Sequence, residues 1–335
     1  MFNARSRQEV LRYQMQFTSP SGMTFVRMIL IALALVLLGG CTREEGPSPP
    51  RPERADASPT TPEPSPTESP RGQPDEEPAT GRTITVAAAG DISEAELGDQ
   101  ADTSDLVVEA DPDRVLVLGD SQYPDGSSAE FSDYYDRTWG RFESRTLAAP
   151  GNHDPYGSSD YEEYFDPPGP WYSIDVGNWH LVSLDSNQAD DEDQHEFLDQ
   201  DLEGDDHRCE LAFWHHARWS SGSDHGSSDA VQPLWKRAVD AGVDLVLTAH
   251  DHIYERFGPL DRDGRPEADG TVQIVVGTGG AEQHDDFFDD PVTGSKVRID
   301  QKHGVLFLSL KKSSYSGEYQ TVDGRILDRF EQECR

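Results

Sequence analysis

From Thr83 onward the chain is built of short apolar runs that stop abruptly at polar residues. TITVAAAG (83–90) ends at Asp91, RVLVLG (114–119) at Asp120, TLAAPG (146–151) at Asn152, CELAFW (209–214) at His215 and VDLVLTA (243–249) at His250. Runs of this length, with β-branched residues and closed by Gly or polar clusters, predict buried strands. Helical patterning lies between several of them, over 103–110, 129–142, 191–202 and 230–241. TVQIVVG (271–277), VLFLSL (305–310) and EYQTVDG (318–324) follow, and the last two, with no helix between them, predict antiparallel strands. Together these elements predict an α/β fold with a layered sheet core. Ligands in open α/β sheets gather at the carboxyl ends of strands. Here five such ends carry Asp, Asp, Asn-His-Asp, His and His-x-His, which predicts convergence on one rim.

Residues 1–82 show none of this patterning. Their long apolar run, MILIALALVLL (28–38), has 11 residues and follows Arg27. That is the length of a signal-peptide core and is short for a membrane span. LGGC (38–41) comes next and resembles a bacterial lipoprotein lipobox, where small residues precede a cysteine that becomes lipidated. The resemblance makes residues 1–40 a signal peptide and Cys41 a lipid anchor; the alternative is a signal peptide with an incidental cysteine. The 18 residues from Met23 to Gly40 match a signal length by themselves, so Met23 is the expected start. Residues 41–82, rich in Pro, Ser, Thr and Glu, lack the apolar residues that would offset the entropy of folding. They are expected to form a disordered tether. The folded domain then spans 83–335, outside the cytoplasm and held at a bacterial cell membrane.

Charge narrows the partners. The net charge is −36, and residues 83–335 carry 54 acidic against 19 basic residues. Such a surface repels a polynucleotide backbone, so no nucleic-acid duplex binding is expected. Acidic runs such as 190–193 and 285–290 read as solvated surface. Of the three cysteines, Cys41 is assigned to the anchor, which leaves Cys209 and Cys334 as a disulfide pair in an oxidising compartment or as two free thiols.

In sequence order the polar residues at the strand ends read GD…GDSQY…GNHD…AFWH…AHDH. Each motif alone is weak. His250 and His252, two apart on an extended segment, point the same way. As a set, over residues 84 to about 280, they resemble the calcineurin-like metallophosphoesterases, and within them the purple acid phosphatase branch. The runs HIYERF (252–257) and GTGG (277–280) belong to the same resemblance. It implies a β-sandwich flanked by helices, in α/β/β/α layers, and two metal ions. Asp91, Tyr123 and His252 would bind the first ion, Asn152, His215 and His250 the second, and Asp120 would bridge them. It pairs the Tyr123 phenolate with Fe(III) and leaves Zn, Fe or Mn for the other ion. His153 would sit beside the substrate. The chain departs from the pattern at Ser93, where many relatives have His, and at Ala249, where Gly is usual; Tyr123 fills the first vacancy. His215 and His216 are adjacent, and alignment of AFWHHARW favours His215 as ligand, with His216 behind it or facing substrate.

The residue chemistry agrees. Carboxylates and an amide oxygen suit hard cations and imidazoles suit Zn, Fe or Mn, so the mixture points to transition metals. The expected activity is hydrolysis of small phosphate monoesters by a hydroxide bridging the two ions. His153, oriented by Asp154, would stabilise the developing charge or protonate the leaving alkoxide. The alternatives are a phosphodiesterase or nucleotidase on the same metals, a lipoprotein that binds metal or phosphate without catalysis, and an inactive interaction domain. His180, His195, His207, His225, His284 and His303 fall outside the motifs and read as ordinary surface or core residues. Residues 220–228 (SSGSDHGSS) and 124–128 (PDGSS) read as flexible loops near the site.

Overall fold

The computed structural model describes residues 82–95, 98–203, 209–283, 287 and 290–335. The leader, Cys41 and nearly all of the tether lie outside the described residues, as do His207, His284 and most of the acidic run 285–290.

Among the described residues thirteen strands, numbered along the chain, form two sheets. The first sheet centres on three parallel strands, β1 (Ile84–Ala89), β2 (Arg114–Leu118) and β3 (Thr146–Ala149). β11 (Gly304–Leu310) joins β1 antiparallel, and β12 (Ser314–Thr321) and β13 (Ile326–Glu333) extend that side as hairpins. In the second sheet β5 (Trp179–Ser183), β6 (Cys209–His216), β7 (Leu245–Ala249) and β9 (Val272–Val276) run parallel. β4 (Tyr172–Val176) closes one edge, and β8 (Tyr254–Phe257) and β10 (Ser295–Ile299) close the other, all antiparallel.

Alternation along the second sheet explains the layers, because successive side chains point to opposite faces. Leu181, Leu211, Phe213, Leu245 and Leu247 face Val86, Leu116 and Leu306 in a core between the sheets. Val182, Ala212, Trp214 and Val246 face the other way, onto Leu198 of the helix Glu192–Glu203 and Leu234 and Trp235 of the helix Gln232–Ala241. The helix Asp99–Ala110 places Val107 in the first core. The order of layers is helix, sheet, sheet, helix, as expected. Among the described residues no helix is long and apolar enough to cross a membrane.

One expected helix is broken. Instead of a continuous helix over 129–142, the chain makes one turn at Ser128–Glu130, a wide π turn at Phe131–Tyr135 and a 3-10 stretch at Trp139–Arg145. Thr138 separates the last two with φ −119° and ψ −90°, and its hydroxyl bonds the carbonyls of Tyr134 and Tyr135. A threonine that bonds the preceding turn competes with the helical ladder.

The parallel registers fix where the strands deliver their tails. Ala89 pairs with Val117, Leu118 with Ala149, and His216 with Ala249. The tails of β1, β2 and β3 therefore leave at one end of the first sheet. Those of β6 and β7 leave at the same end of the sandwich, where His215 Nδ1 meets Leu118 O at 2.9 Å. The other end is closed by a disulfide between Cys209 and Cys334, with Cα atoms 5.5 Å apart. Beside it Asp244 accepts from Arg335 N at 2.8 Å and Glu210 N at 3.0 Å.

Candidate metal centre

At the rim the backbone turns sharply as each strand ends. Asp91, Asp120 and His250 have φ of 54°, 47° and 75°. They are three of the six non-glycine residues with positive φ among the described residues. The left-handed region costs an L-residue of order 1–2 kcal/mol, and such outliers gather at functional sites. Glycines make room beside them. A Cβ on Gly119 (φ +83°) would lie 2.7 Å from His215 Nδ1, and one on Gly151 would lie 2.0 Å from Asp120 Oδ1.

Asp154 holds the oxygen-bearing loops together. It is fully buried and accepts from Gly151 N at 2.9 Å, Asp120 N at 3.1 Å and Ser121 N at 2.7 Å, and from the Ser121 hydroxyl. Burial and the neighbouring Asp120 charge raise its carboxyl to about 7, against the pull of those donors. This corrects the expectation that Asp154 orients the His153 ring. The carboxylate is saturated by loop donors, and His153 Nδ1 instead lies 2.7 Å from Pro124 O. The His153 ring packs on Tyr123, with centroids 4.4 Å apart. His153 N donates to Asp120 Oδ1 at 2.8 Å.

The seven residues expected to bind metal are brought together, and their contacts hold more acceptor atoms than protons. The Tyr123 hydroxyl has one proton for three neighbours: Asp91 Oδ1 at 2.8 Å, Asp120 Oδ2 at 3.0 Å and His252 Nε2 at 3.2 Å. His252 Nδ1 lies 2.6 Å from Glu282 O and so donates to it, which turns Nε2 to the phenol. His215 repeats the arrangement. Its Nδ1 donates to Leu118 O, and Nε2 faces Asn152 Oδ1 at 3.1 Å, His250 Nδ1 at 3.1 Å and Asp120 Oδ2 at 3.2 Å. Asp91 Oδ2 is held by His250 N at 2.8 Å. Buried polar groups are normally satisfied. Here lone pairs face lone pairs, and a proton or a metal ion must lie between them.

The electrostatics of the cluster point the same way. Burial opposes a charge on His215, but Asp120 outweighs it and raises the imidazolium to about 9. Burial resists ionisation of Asp120, yet His215 takes it below the carboxylate range. Burial, then Asp91 and Asp120, push the Tyr123 phenol well above its ordinary value. Burial and the His215 charge drive His250 far down. A proton on His215 occupies the place that the donor set offers to a cation. Asp91, Asp120 and His215 place one ligand atom each within 4.8 Å of one another, as do His215, His216 and His250.

The two adjacent histidines differ in their partners. Ser186 Oγ accepts from His216 N at 3.0 Å and so donates to His216 Nδ1 at 2.9 Å, which leaves the proton on Nε2. Burial and then His215 hold His216 down to about 3. His215 is fully buried and turns Nε2 into the cluster, so it fits a ligand better than His216.

A cavity of about 210 Å³ opens over the cluster, lined by Asp120, Tyr123, Asn152, His153, His250 and His252 and by three residues outside the motifs, Glu94, Asp224 and His225. His225, expected to be ordinary, stacks on His250 with centroids 4.0 Å apart at 26°. Its loop is tied down rather than free. Ser221 N and Oγ bond Glu255 at 2.7 Å, and His225 N and Gly226 N donate to Asp251 Oδ1 at 3.1 and 3.0 Å. No motif announced His225; the signal available was a histidine in a polar loop ten residues past His215. His180, between Asp175 and Asp201, His195, on Ala189 O, and His303, on Ala281 O, make local bonds outside the cavity lining.

Residues 84–254 match the family model of the calcineurin-like phosphoesterases. The chain belongs to the calcineurin-like phosphoesterase family. Its curated relatives include acid phosphatase type 7 of mouse (Mus musculus), 26% identical over 265 residues, covering 64% of this chain and 60% of that protein. Purple acid phosphatase 18 of Arabidopsis thaliana is 26% identical over 228 residues, covering 59% of this chain and 50% of that one. The chain thus spans about half to three-fifths of the length of these relatives. Among solved structures, purple acid phosphatase PPD1 from yellow lupin seeds superposes with a TM-score of 0.62 at 20% identity, covering 76% of this chain and 54% of that one. GAP50, described as the anchor in the inner membrane complex of Plasmodium, gives 0.59 at 14% identity, covering 76% and 89%. At these identities the superpositions show the fold. The family and its acid phosphatase relatives support a metal-dependent phosphoesterase.

Proposed function

We propose that the chain hydrolyses phosphate monoesters at a two-metal centre. Asp91, Tyr123 and His252 would hold one ion, Asn152, His215 and His250 the other, and Asp120 both. The observation that carries this reading is the convergence of Asp91, Asp120, Tyr123, Asn152, His215, His250 and His252, with more acceptor atoms than protons to share among them. Fe(III) beside a divalent Zn, Fe or Mn suits the donors. A phenol flanked by two carboxylates ionises only against a cation of high charge, and Tyr123 lies within 3.0 Å of both.

Bound metal ions supply Lewis-acid stabilisation of phosphoryl charge and make water a nucleophile at neutral pH. The chain's own residues do the rest. Pro124 O fixes His153 Nδ1–H, and the ring edges the cavity. That orientation would turn His153 Nε2 to a phosphoryl oxygen or to the departing alkoxide. His225 edges the same cavity for a second contact to phosphate. Asp154 keeps Asp120 and the loop after β3 in register. With metal loaded, p-nitrophenyl phosphate should be hydrolysed faster than its bis ester, and chelation should stop the reaction. Hydrolysis of neither ester by metal-loaded protein overturns this reading.

We also propose an extracytoplasmic location, with Cys41 lipidated at the membrane. The signal-like leader supports it, and so does the Cys209–Cys334 disulfide, a bond that persists in oxidising compartments. Cys41→Ser should release the chain from the membrane fraction; unchanged partition counts against the anchor.

A further inference from the structure

Beyond the proposed metal ligands, the cavity is lined by two imidazoles, His153 and His225, and two carboxylates. Glu94 and Asp224 line it, and among the described lining residues there is no lysine or arginine. Both positions are set by backbone. Glu94 O accepts from Gln100 Nε2 at 3.0 Å, and its neighbour Ser93 is tied to the Tyr123 loop through Tyr123 N at 2.8 Å. Asp224 precedes His225, whose N–H is held by Asp251, and its Oδ2 lies 3.6 Å from His225 Nε2. One carboxylate thus follows β1 of the first sheet and the other follows β6 of the second. The cavity, about 210 Å³, lies below the roughly 300–1,000 Å³ of sites for larger ligands. It suits a phosphate with a small alcohol.

We infer that Glu94 and Asp224 select the alcohol half of the substrate: the site favours phosphate esters of small ammonium-bearing alcohols, such as choline phosphate, over esters that carry a second anion. This rests on the phosphoesterase reading above. The ester phosphate is accommodated at the donor cluster. A carboxylate or further phosphate on the alcohol would meet Glu94 and Asp224, whereas an ammonium would be drawn to them. Both side chains are partly solvated, so each contributes about two- to fivefold to the preference, and salt weakens it.

The test uses the metal-loaded full chain and compares kcat/KM for choline phosphate, glycerol phosphate and 3-phosphoglycerate. The expected order is choline phosphate first and 3-phosphoglycerate last. Glu94→Gln with Asp224→Asn should shrink the ratio of first to last by about four- to twenty-five-fold, following the same per-charge estimate. Asp224→Lys should move the preference toward the anionic ester. Asp190→Asn with Asp193→Asn changes net charge equally on exposed residues outside the cavity lining and should leave the ratio in place. Equal shifts in the two double variants overturn the assignment to Glu94 and Asp224, as does a wild-type ratio of one or less. Failure to hydrolyse any of these esters or p-nitrophenyl phosphate is a different result: it removes the phosphoesterase reading, and the inference falls with it.

Discussion

The two sheets bring different chemistry to the rim. Asp91, Asp120, Tyr123 and Asn152 follow strands of the first sheet and present oxygen. His215, His250 and His252 end or follow strands of the second sheet and present nitrogen. They are also held differently. The oxygen donors are fixed within their own sheet by the Asp154 clamp on Gly151, Asp120 and Ser121. The nitrogen donors lean on other elements: His215 on Leu118 O of the first sheet, and His252 on Glu282 O. Asp91 in turn is held by the backbone of His250. Neither sheet could build the centre alone. Damage to Asp120 or to its Asp154 clamp should reach both ions, whereas damage to one imidazole should stay with one.

Asp120→Asn should break the comparison most completely, because Asp120 touches both halves. Turnover should fall about a thousandfold or more, the scale expected when Lewis-acid stabilisation is lost. Metal analysis should show both ions gone, with circular dichroism unchanged. Asp154→Ala strands buried donors in the clamp. It should cost about 2–4 kcal/mol in urea unfolding and about 10–100-fold in metal affinity, at both sites. Retention of one ion at full affinity would contradict the proposed asymmetry. Gly119→Ala puts a methyl against the His215 ring at a backbone φ of +83°. It should weaken the second ion about tenfold, as loss of ligand orientation does, and spare the first. The smallest effect on chemistry lies at the far end of the sandwich. Replacing Cys209 and Cys334 together by Ser should lower stability by about 2–5 kcal/mol and leave kcat at 25 °C unchanged.

Part of this was legible in the sequence. β1, β2, β6 and β7 are nearly continuous apolar runs because both their faces are covered, and each ends at a residue of the centre. The antiparallel edges were not read. β10 (SKVRI) and β13 (ILDRFEQE) alternate with exposed polar residues and bury too little to stand out. β4 and β5 have no polar residue of the centre at their ends to mark them. The GNHD motif located Asp154 but not its direction. Whether its carboxylate meets His153 or the turn backbone depends on the fold around it, and the turn supplies the donors. His225 reaches His250 through a loop pinned by Asp251 and Glu255, contacts between segments that local pattern does not encode.

Metal content measured with the visible absorption spectrum of the full chain tests the centre most directly. The expected result is two transition-metal ions per chain and a tyrosinate-to-Fe(III) band that Tyr123→Phe abolishes while the protein stays folded. A folded protein that takes up no transition metal would contradict a metal centre between the two sheets. Two ions with no band would leave the centre standing and remove Fe(III) from beside Tyr123.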